Sequence, residues 1–352
     1  QEFADFVETF GRVAIPKEMP YCFFVEGGAL AVENALKTAF DWKTRKNWQK
    51  GSKTEGSVAI HFKQAFHGRS GYTLSLTNTS DPRKYQYFPL FDWPRIINPK
   101  LHFPITEENL QETIKNEQLA LVEIEQAILM NPDKVSCIII EVIQAEGGDN
   151  HFRDEFFVEL RKICDENDIL LIFDEVQTGI GITGKMWAFQ NFSVVPDVIS
   201  FGKKTQVCGI LANKEKLNQV EHHVFAESSR INSTFGGNFI DMLRFQFVLE
   251  IIEKENLLEN VQKQGDFLLK GLQNLQEKYP QLISNARGKG LMCAFDLPTG
   301  EIRKDFQEKL YEENVIILIC GDCSLRFRPH LNVSQEDLQY VLDKIEKIVQ
   351  KY

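Results

Sequence analysis

The stretch Ile169-Leu-Leu-Ile-Phe173, running straight into Asp174-Glu175-Val176-Gln177, decides the fold class. Five apolar residues without polar alternation suit a strand buried on both faces, which occurs where helices cover both sides of a parallel sheet. Working outward, residues 21–25, 57–62, 135–143 and 197–201 read as further strands. Between them, residues 29–46, 107–130 and 152–167 carry helical periodicity. Strands alternating with helices of this length predict an α/β chain with a mostly parallel sheet. Past Gly236-Gly237 the pattern changes to a long helical stretch over 239–278, strands near 290–296, 315–320 and 325–328, and a last helix from Gln335. The expectation is a large domain over residues 1–250 and a smaller C-terminal α/β domain over 251–352.

Composition narrows the function. The 352 residues are 43% hydrophobic and 26% charged, which supports two cores and excludes a disordered chain. With 40 basic against 50 acidic side chains, net charge is -10, which speaks against nucleic acid or an anionic membrane surface as partner. The apolar runs are too short to span a bilayer. Seven cysteines cannot all pair, and Cys22, Cys137, Cys293 and Cys320 sit in apolar runs, so free thiols in a reducing, cytoplasmic setting are expected. Residues 1–10 read as an amphipathic helix rather than a signal peptide. Chemistry-bearing residues arrive by Glu26, which suggests a further segment before Gln1.

Four motifs compete for the chemistry. Gly179-Ile-Gly-Ile-Thr-Gly184 fits a dinucleotide pattern, but Asp174–Thr178 separates it from its strand and an aromatic run, not a helix, follows. A turn at a strand end is the better reading. Glu26-Gly27-Gly28-Ala29-Leu30 joins a strand to a helix and is either an ordinary turn or a phosphate cradle of exposed helix-start amides. Asp174 stands at the carboxyl end of an apolar strand, where open α/β sheets bind ligands; a solvated acidic pair is the plainer alternative. Phe201-Gly202-Lys203-Lys204 sets lysines past another strand end, either surface charges or an amine drawn into the same crevice. Together, a phosphate cradle, a strand-end carboxylate and a strand-end lysine are what pyridoxal phosphate requires.

The run 170–184, then Pro196 to Lys203 and Gly209, resembles the pyridoxal-phosphate attachment signature of class III aminotransferases. The likeness extends through 24–34, 65–78, 201–209, Asn232-Ser-Thr234 and Arg326-Phe-Arg-Pro329, whose wording is similar to members acting on the ε-amino group of lysine. It implies fold type I of the pyridoxal-phosphate transferases and a homodimer with shared active sites. Lys203 would then be the Schiff-base lysine and proton shuttle, with Lys204 a neighbouring decoy. Asp174 would pair with the pyridinium nitrogen, and Gln177 would meet the phenolic oxygen and border the substrate. Phe66 and Val176 would sandwich the ring. Gly28 and Ala29 amides would hold the phosphate, with Thr234 from the other subunit.

For substrates, the resemblance implies L-lysine as donor and 2-oxoglutarate as acceptor, with 4-aminobutyrate or another ω-amino acid as the alternative donor. Arg326 would grip the α-carboxylate of 2-oxoglutarate. Glu146 would neutralise Arg326 while lysine is bound and swing away afterwards. Arg69 would take the distal carboxylate of either substrate. One departure is Val142, where the family commonly has proline. The seven histidines show no ligand spacing and Cys320-Gly-Asp-Cys323 lacks a second pair, so no metal is expected.

Overall fold

The computed structural model describes residues 1–79 and 81–352. Its large sheet contains β1 (Tyr21–Val25), β2 (Val58–Phe62), β3 (Arg95–Ile96), β4 (Val135–Glu141), β5 (Leu170–Asp174), β6 (Val198–Phe201) and β7 (Cys208–Ala212). The strand order is β1-β7-β6-β5-β4-β2-β3. Strands β2 to β6 pair in parallel, and β7 runs antiparallel to both neighbours, β6 and β1. A second, antiparallel sheet takes the order β10-β11-β9-β8 from β8 (Ser284–Lys289), β9 (Met292–Asp296), β10 (Leu318–Cys320) and β11 (Ser324–Arg326). The helices are α1 (Glu2–Val13), α2 (Gly28–Gln49), α3 (Gly71–Leu76), α4 (Glu107–Met130), α5 (Asp154–Glu166), α6 (Lys214–Leu217), α7 (Phe239–Lys254), α8 (Leu257–Lys278), α9 (Gly300–Glu312) and α10 (Gln335–Val349). This is the α/β architecture that the apolar strand runs predict.

Strands β4, β5 and β6 are buried at every position, which is why their sequences do not alternate. β7 escapes the apolar pattern because it includes Gly209. A Cβ there would lie 2.2 Å from the Phe23 carbonyl, so glycine is what lets β1 close against β7.

Among the described residues two large hydrophobic cores form, beside a small cluster of Val25, Ala31 and Cys208. The first runs from Phe6 to Leu257 and the second from Val261 to Val349, joined by Ile143, Ala145 and Ile182 from loops beyond β4 and β5. The single helical stretch expected over 239–278 is two helices. Asn256, at φ +50°, breaks it, a conformation asparagine tolerates better than most residues. The break has a packing reason. Phe245 of α7 packs in a tilted arrangement against Phe6 and Phe10 of α1, whereas Val261, Leu268 and Leu272 of α8 enter the second core. One straight helix could not serve both. Among the described residues, no helix is long and apolar enough to cross a membrane.

Candidate active site

Parallel pairing sets the chemistry side by side. β4 and β5 align so that Glu141 stands opposite Asp174, and β5 and β6 align Asp174 with Ser200. The loops after β1, β2, β4, β5 and β6 leave this edge of the sheet together. They enclose a cavity of about 250 Å³ lined by Gly28, Ala29, Phe66, His67, Gly68, Arg69, Glu141, Asp174, Val176, Gln177 and Lys203. All of the residues assigned from sequence to one cofactor within one chain meet here.

At one end, Gly27 takes φ +96° and α2 starts at Gly28, leaving the first helical amides without intrahelical acceptors. A Cβ on Gly28 would sit 3.0 Å from Val176 Cγ1, so the absent side chain is what keeps the space between helix start and Val176 open. This suits an anion at a helix N-terminus.

At the other end, Asp174 is held at both oxygens. Oδ1 accepts from the Val176 amide and the Ser200 hydroxyl, each at 3.0 Å, and Oδ2 accepts from His67 Nδ1 at 2.8 Å. Glu141 accepts from the Phe66 amide at 2.8 Å and the Ala145 amide at 3.1 Å, tying together two loops of the site. Burial, with the charge of Asp174 adding to it, pushes the Glu141 carboxyl up to about 7. The acidic pair at 174–175 is not solvated. Glu175 turns away, accepting from Thr178 and the Ala188 and Phe189 amides, and serves structure.

The two lysines separate. Lys203, at φ +54°, faces the cavity. Lys204 donates to the Gln177 carbonyl at 2.5 Å, and burial, with the charges of Arg328 and Lys203, lowers its ammonium to about 7. It holds the loop from behind rather than entering the cavity. The glycines of 179–184 serve tight turns: Gly181 and Gly184 take φ +87° and +83°, and Gln262 of α8 donates to the Gly184 carbonyl.

Phe66 also lines a second, larger cavity of about 840 Å³ that includes Lys84, Glu146, Arg303 and Arg326. The expected Glu146–Arg326 pair is not the one formed. Lys84 Nζ lies 2.5 Å from Glu146 Oε1, because the 82–84 turn brings this lysine into the same cavity. Among the described residues Arg326 Nε and Nη1 are buried without a hydrogen-bond partner. The neighbouring Arg328 has its terminal nitrogens paired with Asp149, through Nη1–Oδ2 at 2.8 Å and Nη2–Oδ1 at 2.5 Å, while its Nε is buried without a partner among the described residues. Arg69 lines the smaller cavity and is exposed, so it and Arg326 border different chambers. Thr234 is exposed and lies outside both cavities.

Residues missed from sequence are His67, Glu141, Ser200 and Lys84. A strand-end position marked two of them as readable, since Glu141 ends β4 and Ser200 precedes the end of β6, and His67 adjoins Phe66 in the loop after β2. Lys84 carries no local signal.

A family model described as aminotransferase class-III matches residues 1–349. An L-lysine-epsilon aminotransferase of Mycobacterium tuberculosis is 49% identical over 95% of this chain and 74% of its own length. A mitochondrial 4-aminobutyrate aminotransferase of Homo sapiens is 36% identical, over 90% of this chain and 65% of its own. The solved lysine aminotransferase of M. tuberculosis in the internal aldimine form superposes with a TM-score of 0.96 at 47% identity, covering 99% of this chain and 80% of that one.

Proposed function

This chain belongs to the class-III aminotransferases, and on that footing we propose that it moves the ε-amino group of L-lysine to 2-oxoglutarate, giving 2-aminoadipate 6-semialdehyde and L-glutamate. The single observation that carries the donor is its higher identity to the lysine relative than to the 4-aminobutyrate relative. The enzymes of this family use pyridoxal phosphate. The smaller cavity fits that group: free helix-start amides, a room-giving glycine, an anchored carboxylate and a lysine line it together.

When bound, pyridoxal phosphate supplies a carbonyl carbon that exchanges amine partners and a protonated ring that draws electrons from the carbon losing its proton. Gly28 and Ala29 amides would hold its phosphate. Asp174 would keep the ring nitrogen protonated, and its bonds to Val176, Ser200 and His67 fix it for that task without reorganisation. Phe66 and Val176 would confine the ring, and Gln177 would meet its phenolic oxygen. Lys203 Nζ would tie the resting cofactor and then carry the proton between the substrate carbon and the cofactor carbon, as general base and acid in turn. Glu146, Arg326 and Arg69 would sort the carboxylates of the two substrates, one after the other at a single site, in a ping-pong cycle.

A homodimer with shared active sites accompanies this reading. Thr234 from a second copy would complete the phosphate site, and its exposure beside Phe235, which is 85% exposed, supports a covered position in the assembly. The seven free cysteines support a reducing, cytoplasmic setting.

The test is a half-reaction screen. The purified protein loaded with pyridoxal phosphate should lose its visible absorbance band with lysine faster than with ornithine or 4-aminobutyrate, and regain it with 2-oxoglutarate. Faster bleaching by 4-aminobutyrate would move the donor to the alternative. A visible band that Lys203→Ala leaves intact would overturn the assignment of that lysine.

A further inference from the structure

We propose that Lys84 is a specificity-determining residue: it is the second cation for Glu146, and by holding that carboxylate it keeps Arg326 open to the carboxylate of the acceptor. The inference deepens the function proposed above and rests on it.

Cationic side chains outnumber carboxylates in the larger cavity. Arg326 is half-buried and presents buried Nε and Nη1 with no partner among the described residues, and a guanidinium with N–H groups withdrawn from water favours an anion. The carboxylates lining the cavity are Asp81, Glu146 and Asp322. Asp81 is engaged by Arg83, and Asp322 is exposed. Glu146 is bound to Lys84 at 2.5 Å, although it lines the same chamber as Arg326. Arg326 is therefore ready for an incoming carboxylate, and the ready state depends on Lys84 occupying Glu146.

The backbone limits how Glu146 can change partners. Its carbonyl accepts from the Gly321 amide at 2.8 Å, and Arg303 Nη1 donates to the Gly321 carbonyl at 2.8 Å. Behind the loop, Arg287 donates to the Gly148 and Asp149 carbonyls. With the main chain tied at these points, a choice between Lys84 and Arg326 falls to the side-chain torsions of Glu146. Lys84 comes from another segment altogether, with Nζ 5.9 Å from the Phe66 ring centre, so its grip on Glu146 is set beside the ring wall. The arrangement gives one carboxylate two alternative cations. Paired with Arg326, it would suit a donor with no carboxylate at the reacting carbon. Paired with Lys84, it suits a dicarboxylate acceptor.

The experiment compares wild type, Lys84→Met, Lys84→Arg and Lys84→Met/Glu146→Gln, all loaded with pyridoxal phosphate. Each half-reaction is followed separately by the cofactor absorbance. Lys84→Met should raise the half-saturating concentration of 2-oxoglutarate roughly ten- to a hundredfold, the range of one lost charge-assisted bond. The lysine half-reaction and the position of the resting band should stay near wild type. Lys84→Arg should recover most of the acceptor affinity, and Glu146→Gln should relieve the defect of Lys84→Met, since an amide no longer competes for Arg326. An unchanged acceptor constant in Lys84→Met overturns the proposal. So does a defect that Glu146→Gln fails to relieve, which would make Lys84 a direct contact of the acceptor. A wild-type enzyme that rejects lysine sinks the donor reading alone, because Lys84 is judged on the 2-oxoglutarate step with whichever amine loads the cofactor.

Discussion

Replacing Asp149 by alanine should loosen the loop carrying Glu146 far more than replacing the whole Asp149–Arg328 pair. Asp149 is fully buried and gives one oxygen to each terminal nitrogen of Arg328, at 2.8 and 2.5 Å. Without it the guanidinium keeps, among the described residues, only the Phe327 carbonyl at 2.6 Å, and Arg287 stands behind the same loop with a like charge. Breaking a buried pair from one side costs about 3–5 kcal/mol, because the remaining charge is left out of water. Replacing both partners, as in Asp149→Leu/Arg328→Met, removes the stranded charge along with the attraction, and such exchanges are often neutral. Hydrogen exchange separates the two cases. The amide of Gly321 is bonded to the Glu146 carbonyl, and the amide of Asn150 to the Gln144 carbonyl. If they exchange by local opening, 3–5 kcal/mol corresponds to roughly 150- to 5,000-fold faster exchange in the single variant. The double variant should lie much nearer to wild type. Equal acceleration in both, or wild-type exchange in Asp149→Ala, would refute the reasoning that the unpaired guanidinium sets the cost.

Three further outcomes are expected. Ser200→Ala removes one of the two donors on Asp174 Oδ1, so pyridoxal-phosphate titration should show affinity weakened roughly tenfold, and unchanged affinity would remove the serine from the site's support. Lys204→Met should be most stabilising, relative to wild type, below pH 7 in thermal melts. The native pKa of about 7 lies below the ordinary 10.5, so the unfolded chain binds the extra proton between these values, and the wild type gains stability as pH rises through that window; a difference independent of pH would contradict the lowered ammonium. Gly265→Ala should lower the melting temperature despite alanine's advantage of about 1 kcal/mol in helices, because its Cβ would lie 2.3 Å from Gly290 backbone atoms. A higher melting temperature would mean that this contact yields.

How far the chain could be read follows from the range of each interaction. Strand β5 was legible because burial on both faces demands unbroken apolar residues, and Asp174 was legible because a strand's carboxyl end is a local position. Lys203 and Lys204 are adjacent and alike in composition. In the sequence only the resemblance to the attachment signature separates them; the physical separation comes from the fold, which turns one into the cavity and the other onto the Gln177 carbonyl. The break at Asn256 went unread because both halves have helical periodicity, and the cores they serve are defined by partners far away in the chain.

What the sequence by itself determined was the α/β class, the loops that meet at one edge of the sheet, and the residue types of a pyridoxal-phosphate site. All of these rest on local periodicity, turn chemistry and motif spacing. Tertiary structure alone decided which charges neutralise one another. Glu146 lies 62 positions from the Lys84 that it binds and Asp149 179 positions from Arg328, and His67 reaches Asp174 across 107. Pairing at such separations depends on where the sheet and the second core bring the side chains, since Coulomb attraction and hydrogen bonding act over a few ångströms of space, whatever the distance along the chain.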